Sequence, residues 1–148
     1  MNNGSILTQR YQQTSVNTAT PEQLVVMLYE GAIQALKKAV AAIEQNDLEQ
    51  KRTSVDPTLG LIQHLQNTLD MERGGEIAAD LDRLYTYMTS RIMEASTTLD
   101  AAPLREVIKL VSPLMEAWKE VARKKQESLS SEKALSGGQP NARLQVHG

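Results

Sequence analysis

Apolar residues recur at steps of three and four along residues 77–95, and this spacing predicts an amphipathic helix. The stripe consists of Ile77, Leu81, Leu84, Tyr85, Met88, Ile92 and Ala95. Polar residues occupy most of the remaining circumference, so one face is expected to enter a core and the other to meet water. Two apolar residues lie outside the stripe: Tyr87 on its shoulder and Met93 roughly opposite it. We expect these two to provide apolar surface that the core does not use.

Two further segments with helical periodicity lie near the ends of the chain. The first begins at Thr20-Pro21-Glu22-Gln23, which has the pattern of a capping box with proline at the first helical position, and it extends to about Asn46. The other extends from about Pro103 to Gln126. Pro113 projects away from its apolar stripe, so a kink there is expected to face solvent and leave the core in register.

The segment between residues 47 and 70 predicts one more helix. Asp47, followed by Gln50 three residues later, is a candidate N-cap. Pro57 allows two interpretations of this segment. Either a single helix continues through it with a kink on the solvent side, or Asp56 caps a shorter helix that Pro57 opens.

Four amphipathic segments joined by short loops predict an all-α fold, an antiparallel up-down four-helix bundle spanning residues 20–127. Residues 1–19 are rich in Asn, Gln, Ser and Thr, which predicts a flexible N-terminal arm. The apolar side chains of this arm, among them Leu7, Tyr11 and Val16, can dock on the bundle or remain unstructured. Residues 128–148 are expected to form a disordered tail.

The composition indicates the compartment of the protein and excludes some classes of partner. The chain of 148 residues contains no cysteine, which excludes disulfides and favours a reducing compartment such as the cytosol. A net charge of −2, with acidic and basic residues interspersed, favours neither nucleic acid nor an anionic membrane. No apolar run is long enough to span a membrane, and the first residues do not have the pattern of a signal peptide.

The residues that carry enzyme chemistry are few. His64 lacks a carboxylate three residues before it, as the Glu-x-x-His motif of a di-iron bundle requires, and His147 lies in the predicted tail. Gly74-Gly75 is not followed by the Gly-Lys-Ser/Thr of a phosphate-binding loop and is better explained as a turn between helices. We therefore expect no catalytic site, no metal and no cofactor.

The apolar side chains outside the helical stripes favour a binding function. The candidates for contact with a partner are Val26, Met27, Leu61, Leu65, Tyr87, Met93, Leu110 and Leu114. For any single residue, packing at the edge of the core is the commoner explanation. Together they predict a bundle that accepts the amphipathic helices of a partner on its surface.

Several motifs resemble those of the FliS family of flagellin export chaperones. The N-terminal run is Tyr11-Gln12-Gln13-Thr14-Ser15-Val16-Asn17-Thr18-Ala19-Thr20-Pro21-Glu22-Gln23-Leu24, followed by Met27-Leu28-Tyr29-Glu30-Gly31-Ala32. The later motifs are Thr68-Leu69-Asp70, Gly74-Gly75-Glu76-Ile77-Ala78, Leu84-Tyr85, Tyr87-Met88, Glu94-Ala95, Glu106-Val107 and Ala117-Trp118-Lys119. They agree with the family in order and spacing over about residues 11–125.

This resemblance implies a cytosolic chaperone that binds the C-terminal segment of newly made flagellin. Such a chaperone prevents premature polymerisation and helps to deliver flagellin to the flagellar type III export gate, a protein of the FlhA type. The resemblance also implies that the N-terminal arm covers apolar surface that the client later occupies. An aromatic residue near that arm docks at the gate, and Tyr11 matches its position.

Two other classes of function remain as alternatives. A structural or adaptor bundle that forms a homodimer through the same apolar side chains would show no flagellin binding and a mass that depends on concentration. A bundle enzyme or metalloprotein would contain bound metal or a titrating site, which metal analysis of the purified protein would detect.

Overall fold

A computed structural model describes residues 18–147, with side chains described for residues 18–135. This part of the chain contains four helices and no strand: α1 (Pro21–Glu44), α2 (Leu48–Asn67), α3 (Met71–Thr98) and α4 (Ala102–His147). The predicted all-α, four-helix fold is therefore confirmed. Of the residues predicted to act in the N-terminal arm, Leu7, Tyr11 and Val16 lie outside the described residues.

The chain divides into two compact units, of which residues 25–116 form one. This unit contains most of α1, all of α2 and α3, and the first part of α4. Its core is built from side chains of all four helices. The buried apolar residues are Tyr29, Ala32, Ile33, Leu36, Ala39, Ala42, Ile43, Val55, Ile62, Leu65, Ala78, Tyr85, Met88, Ile92, Ala95, Ala101, Leu104, Val107 and Val111.

Polar contacts at both ends of α2 establish that it runs antiparallel to α3. Near the end of α2, Gln66 Nε2 donates to Asp82 Oδ1 at 2.9 Å. Near its start, Lys51 Nζ donates to the backbone oxygen of Ser96 at 3.0 Å. Since the partner number rises as the α2 number falls, the two helices have opposite directions.

Helix α1 contacts both α3 and α4 within this unit. In the core, the phenol groups of Tyr29 and Tyr85 share a hydrogen bond between α1 and α3. At the surface, Glu44 at the end of α1 forms an ion pair with Arg105 near the start of α4. This pairing of an end with a start is the one expected of antiparallel neighbours.

The second unit comprises the residues before 25 and those after 116. In its described part, Gln23 Nε2 donates to Gln126 Oε1 at 3.4 Å, which joins the start of α1 to α4. Ala122 is buried, and Arg123 forms ion pairs with Glu120 and Glu127 one turn away on either side. Such exposed pairs between neighbouring turns favour the helical conformation.

The predicted starts of α1 and α2 are confirmed by their capping contacts. The backbone nitrogen of Gln23 donates to Thr20 Oγ1 at 3.1 Å, and that of Thr20 donates to Gln23 Oε1 at 2.9 Å. This is the reciprocal arrangement of a capping box. At the start of α2, the backbone nitrogen of Gln50 donates to Asp47 Oδ1 at 3.0 Å.

Helix α2 continues through Pro57, so the interpretation as a single helix is confirmed and the shorter helix capped by Asp56 is wrong. Proline removes the hydrogen bond that its nitrogen would have donated to the carbonyl of Thr53. Both Pro57 and Thr53 are exposed, and water can therefore replace that donor. Pro113 is likewise exposed within α4, on the side away from the core as predicted.

The largest departure from the predicted helices is at the start of α3. Gly75 has φ +52° and ψ −127°, so the helix kinks there after its first turn. Asp70, expected to end the preceding helix, instead caps α3 by accepting from the backbone nitrogen of Arg73 at 3.1 Å. The prediction that Ile77 belongs to the core stripe is wrong, because this side chain is 73% exposed just after the kink while Ala78 is buried.

The predicted end of the fourth helix near Gln126 is also wrong, since α4 extends to His147. The sequence that follows explains this extension as far as Leu135, whereas nothing in it explains the continuation through Gly137, Gly138 and Pro140. Arg123 pairs with Glu127 one turn later, and Glu132-Lys133-Ala134-Leu135 consists of residues with high helix propensity. The serines between them lower that propensity only slightly.

We expect Gly60→Ala to raise the free energy of unfolding by about 0.5–1 kcal/mol, the usual gain from replacing glycine inside an exposed helix. Gly60 is an exposed residue of α2, and a Cβ added there meets no atom within 4 Å. Urea unfolding followed by circular dichroism measures the change. Gly75→Ala is the matched control of opposite sign, because its positive φ strains any L side chain. Equal effects of the two substitutions would contradict this account.

Candidate functional site

The eight residues predicted to contact a partner do not form a single patch. Three of them lie together where α3 meets α4: Tyr87, Leu110 and Leu114. The hydroxyl of Tyr87 donates to Glu106 Oε2 at 2.7 Å, and Leu110 and Leu114 follow Glu106 by one and two turns on the same face of α4. Tyr87 is 45% exposed, and the two leucines are half-buried. We call these three side chains the α3–α4 surface.

The prediction that Leu65 is available to a partner is wrong, because its side chain is fully buried in the core, at 0% exposure. Leu61, one turn before it, is half-buried and packs against α1. A Cβ added to Gly31 would lie 3.3 Å from Leu61 Cδ1, so the glycine allows the two helices to approach closely. Leu61 and Leu65 therefore both contribute to packing between helices.

Met93 lies apart from the α3–α4 surface, and Val26 and Met27 belong to a different helix, α1. Met93 is 55% exposed and, at 100° per residue, projects roughly 120° away from Tyr87 around α3. Val26 and Met27 are half-buried on α1. All three remain predicted contacts.

A polar network at the α3–α4 surface was not predicted from the sequence. Glu106 on α4 accepts from two residues of α3: from Tyr87 at Oε2, and from Arg91 Nε at Oε1 at 2.6 Å. Arg91 Nη1 also donates to Glu94 Oε1 at 2.9 Å. The one local signal was the spacing of Arg91 and Glu94, which places opposite charges on neighbouring turns of a helix.

The network shifts the ionisation of its members in consistent directions. Hydrogen bonds from Tyr87 and then from Arg91 hold the pKa of the Glu106 carboxyl below its usual range. The same bond to Glu106 raises the pKa of the Tyr87 phenol. At neutral pH the carboxylate is therefore ionised and the phenol protonated, which is the combination that the hydrogen bond requires.

Several large apolar side chains outside the predicted set are also exposed. They are Leu48, Met71, Ile77, Leu99, Val121, Leu129 and Leu135. Leu48 occupies the first position of α2.

The described residues outside the α3–α4 surface form a cleft but no group of metal-binding side chains. A shallow cleft in the second unit is lined by Gln23, Lys119, Ala122, Arg123, Gln126, Glu127, Ser130 and Ser131. None of these residues was a predicted contact. Within residues 18–135, no group of three or more His, Asp or Glu side chains is arranged to hold a metal ion.

None of the helices in the described part of the chain is both long and apolar enough to cross a membrane.

Comparison with known proteins agrees with the motifs. The family model described as flagellar protein FliS matches residues 3–126. The flagellar secretion chaperone FliSB of Pseudomonas aeruginosa is 38% identical over 114 residues, covering 74% of this chain and 90% of that protein. The flagellar secretion chaperone FliS of Salmonella typhimurium is 39% identical over 113 residues, 76% of this chain and 84% of its own. The flagellar secretion chaperone FliS of Bacillus subtilis is 39% identical over 110 residues, covering 74% of this chain and 81% of that protein.

The family match includes the whole unit of residues 25–116, with the α3–α4 surface, and the resemblance inferred from the motifs is confirmed. The chain belongs to the FliS family of flagellar proteins.

Proposed function

We propose that this chain is a flagellar secretion chaperone of the cytosol that binds the C-terminal segment of flagellin, prevents its premature polymerisation and helps to deliver it to the export gate. The observation that carries the proposal is an identity of 38–39% with secretion chaperones over about three quarters of the chain. The relatives are named as chaperones and not as enzymes, and we infer the same of this chain. Delivery to a gate protein of the FlhA type rests on the match of Tyr11 to the family motif.

Accessible apolar side chains on a helical unit supply the physical basis for client capture. An amphipathic segment that has no fold of its own hides its apolar face by laying it on such a surface. Ordering the segment costs conformational entropy, so useful affinity requires a large wrapped area. Met93 and Tyr87 are both exposed and project roughly 120° apart around α3, which supports a client that wraps around the bundle.

The direct test is isothermal titration of this protein with the C-terminal segment of flagellin from its own organism, beside a segment of scrambled sequence. Saturable 1:1 binding with a negative heat-capacity change, absent for the scrambled segment, would establish capture by apolar burial. The absence of heat at tens of micromolar, from a helical and monodisperse sample, would overturn the assignment of this client.

We expect Val26→Asp and Met93→Asp each to weaken client binding by about tenfold or more, which corresponds to a loss of about 1.4 kcal/mol. A carboxylate at either position must be desolvated when the client covers it. Helicity measured by circular dichroism should persist, because neither side chain is fully buried.

Ile77→Asp is the matched control for Met93→Asp. It introduces the same charge on the same helix at a more exposed apolar residue that lies outside the predicted contacts. Unchanged affinity for Ile77→Asp and reduced affinity for Met93→Asp would show that the client contacts α3 at Met93. A collapse of the helical signal would instead place Val26 or Met93 in the core.

A homodimeric structural or adaptor bundle is the alternative, and exposed apolar residues such as Leu48 and Leu99 suit it as well. Sedimentation velocity over a hundredfold range of concentration separates the two. A chaperone with one client site keeps the monomer mass until the client is added, whereas the adaptor shows a rising mass and no heat with the flagellin segment.

A further inference from the structure

The carboxylate of Glu106 holds two α3 side chains at once at the α3–α4 surface. Its Oε2 accepts from the Tyr87 hydroxyl at 2.7 Å, and its Oε1 accepts from Arg91 Nε at 2.6 Å. Arg91 is in turn held by Glu94 at 2.9 Å and is only 27% exposed. Both oxygens of one carboxylate are thus engaged by donors of the neighbouring helix.

The consequence for Tyr87 is unusual for an exposed aromatic residue. Nearly half of its surface is open to solvent, yet its hydroxyl is bound to a different helix. A side chain fixed at both ends has fewer rotamers to lose when a partner covers it. The hydrogen bond to Glu106 therefore presents the ring to solvent in a nearly fixed orientation.

The fixed ring borders an apolar strip. Leu110 and Leu114 continue along α4 from Glu106, and Leu84 lies one turn before Tyr87 on α3. All three leucines are half-buried. A strip of this kind, two turns long and bordered by an aromatic ring, fits the apolar face of an amphipathic helix. Buried aromatic residues often dominate the energy of such interfaces.

We propose that Tyr87 is a preformed contact for the apolar face of the client segment, and that Glu106 is the positioning residue that holds its ring in place. This inference rests on the proposed function, since the occupant is the flagellin segment. Glu106 itself contacts Tyr87 and Arg91 and acts on the client through them.

The test compares four variants in the titration with the flagellin segment. Tyr87→Ala removes the ring and is expected to weaken binding on the order of tenfold or more. Tyr87→Phe keeps the ring but loses its bond to Glu106, and Glu106→Ala loses the acceptor; each should weaken binding by about three- to tenfold. Glu106→Gln retains a carbonyl oxygen as acceptor and should restore part of the lost affinity.

Glu44→Ala is the matched control. Like Glu106, Glu44 has a carboxylate that joins α4 to another helix. Its partner is Arg105, and the contact is between α1 and α4 instead of between α3 and α4. The affinity of Glu44→Ala for the client should equal that of the wild type. If losing any ion pair between helices lowered the affinity, both Glu44→Ala and Glu106→Ala would bind the client more weakly.

The readout specific to positioning is the mobility of the Tyr87 ring in the free protein, measured by ¹³C relaxation of the tyrosine ring carbons. Order should fall in Glu106→Ala and recover partly in Glu106→Gln. Unchanged ring order or unchanged affinity in Glu106→Ala would overturn the positioning role. Unchanged affinity in Tyr87→Ala, with a wild type that binds, would overturn the contact and leave the proposed function intact. A wild type that fails to bind would overturn the proposed function itself.

Discussion

Leu65→Ala is expected to lower the free energy of unfolding by about 2–5 kcal/mol, the usual cost of truncating a buried leucine and leaving a cavity. The Leu65 side chain has 0% exposure and lies in the core of the unit of residues 25–116. Truncation therefore removes contacts that water cannot replace. Urea unfolding monitored by circular dichroism at several protein concentrations measures the change.

Met93→Ala is the matched control, because the sequence pattern placed Met93 and Leu65 in the same class of partner contacts. Met93 is 55% exposed, and its truncation should change stability by no more than about 0.5 kcal/mol. Similar losses from the two substitutions, or a stable Leu65→Ala, would contradict the assignment of Leu65 to the core. In the titration with the flagellin segment, the expected order is reversed, with Met93→Ala the more affected.

The misassignment of Leu65 has a geometric cause. A single helical stripe assumes that one neighbour covers a helix, and Leu65 lies about 60° from Ile62 at 100° per residue. Helix α2 has two neighbours: Leu61 packs against Gly31 of α1, and Gln66 bonds to Asp82 of α3. Residues between these two contacts are buried as well. The number of neighbours around a helix depends on tertiary structure and is not encoded in its periodicity.

Local signals were the most predictable from the sequence. The capping pairs Thr20 with Gln23 and Asp47 with Gln50 involve residues three apart, so their contacts depend only on the first turn of the helix. The kink at Gly75 was harder to place. Two successive glycines indicated a turn, but the side that Ile77 would face after the turn depends on the backbone angles of Gly75. The exposure of Ile77 therefore required the structure.

Contacts between residues far apart in the sequence could not be predicted from it. The network of Glu106 joins residues 15 and 19 apart, and the phenols of Tyr29 and Tyr85 meet across 56 residues. Each side chain alone fits several roles, since a tyrosine near an apolar stripe serves equally in a core or at a surface. Tyr85 is buried and Tyr87, two residues later, is exposed, as their positions on and beside the apolar stripe predicted, but periodicity does not identify the partner of either hydroxyl.

Tyr29→Phe is expected to cost about 1–3 kcal/mol of stability, although it removes only one oxygen atom. The Tyr85 phenol is 2% exposed and would lose its Tyr29 partner without gaining water in exchange. The double variant Tyr29→Phe/Tyr85→Phe removes both hydroxyls and should recover most of the loss, because two apolar groups then face each other. A double-mutant cycle from urea unfolding measures this coupling.

The dependence of stability on pH provides an independent test of the same pair. Burial raises the pKa of the Tyr85 phenol, an effect that its hydrogen bond with Tyr29 partly opposes. With a folded pKa above the unfolded value of about 10, the neutral phenol contributes stability that is fully present below pH 10. That contribution is lost as pH rises through the folded pKa, since the unfolded chain releases its proton first. Wild-type protein should therefore lose stability more steeply above pH 10 than Tyr85→Phe, by up to about 1.4 kcal/mol per pH unit. Parallel pH profiles for the two proteins would mean that Tyr85 ionises as easily in the folded state as in the unfolded chain, and would contradict the effect of burial on its pKa.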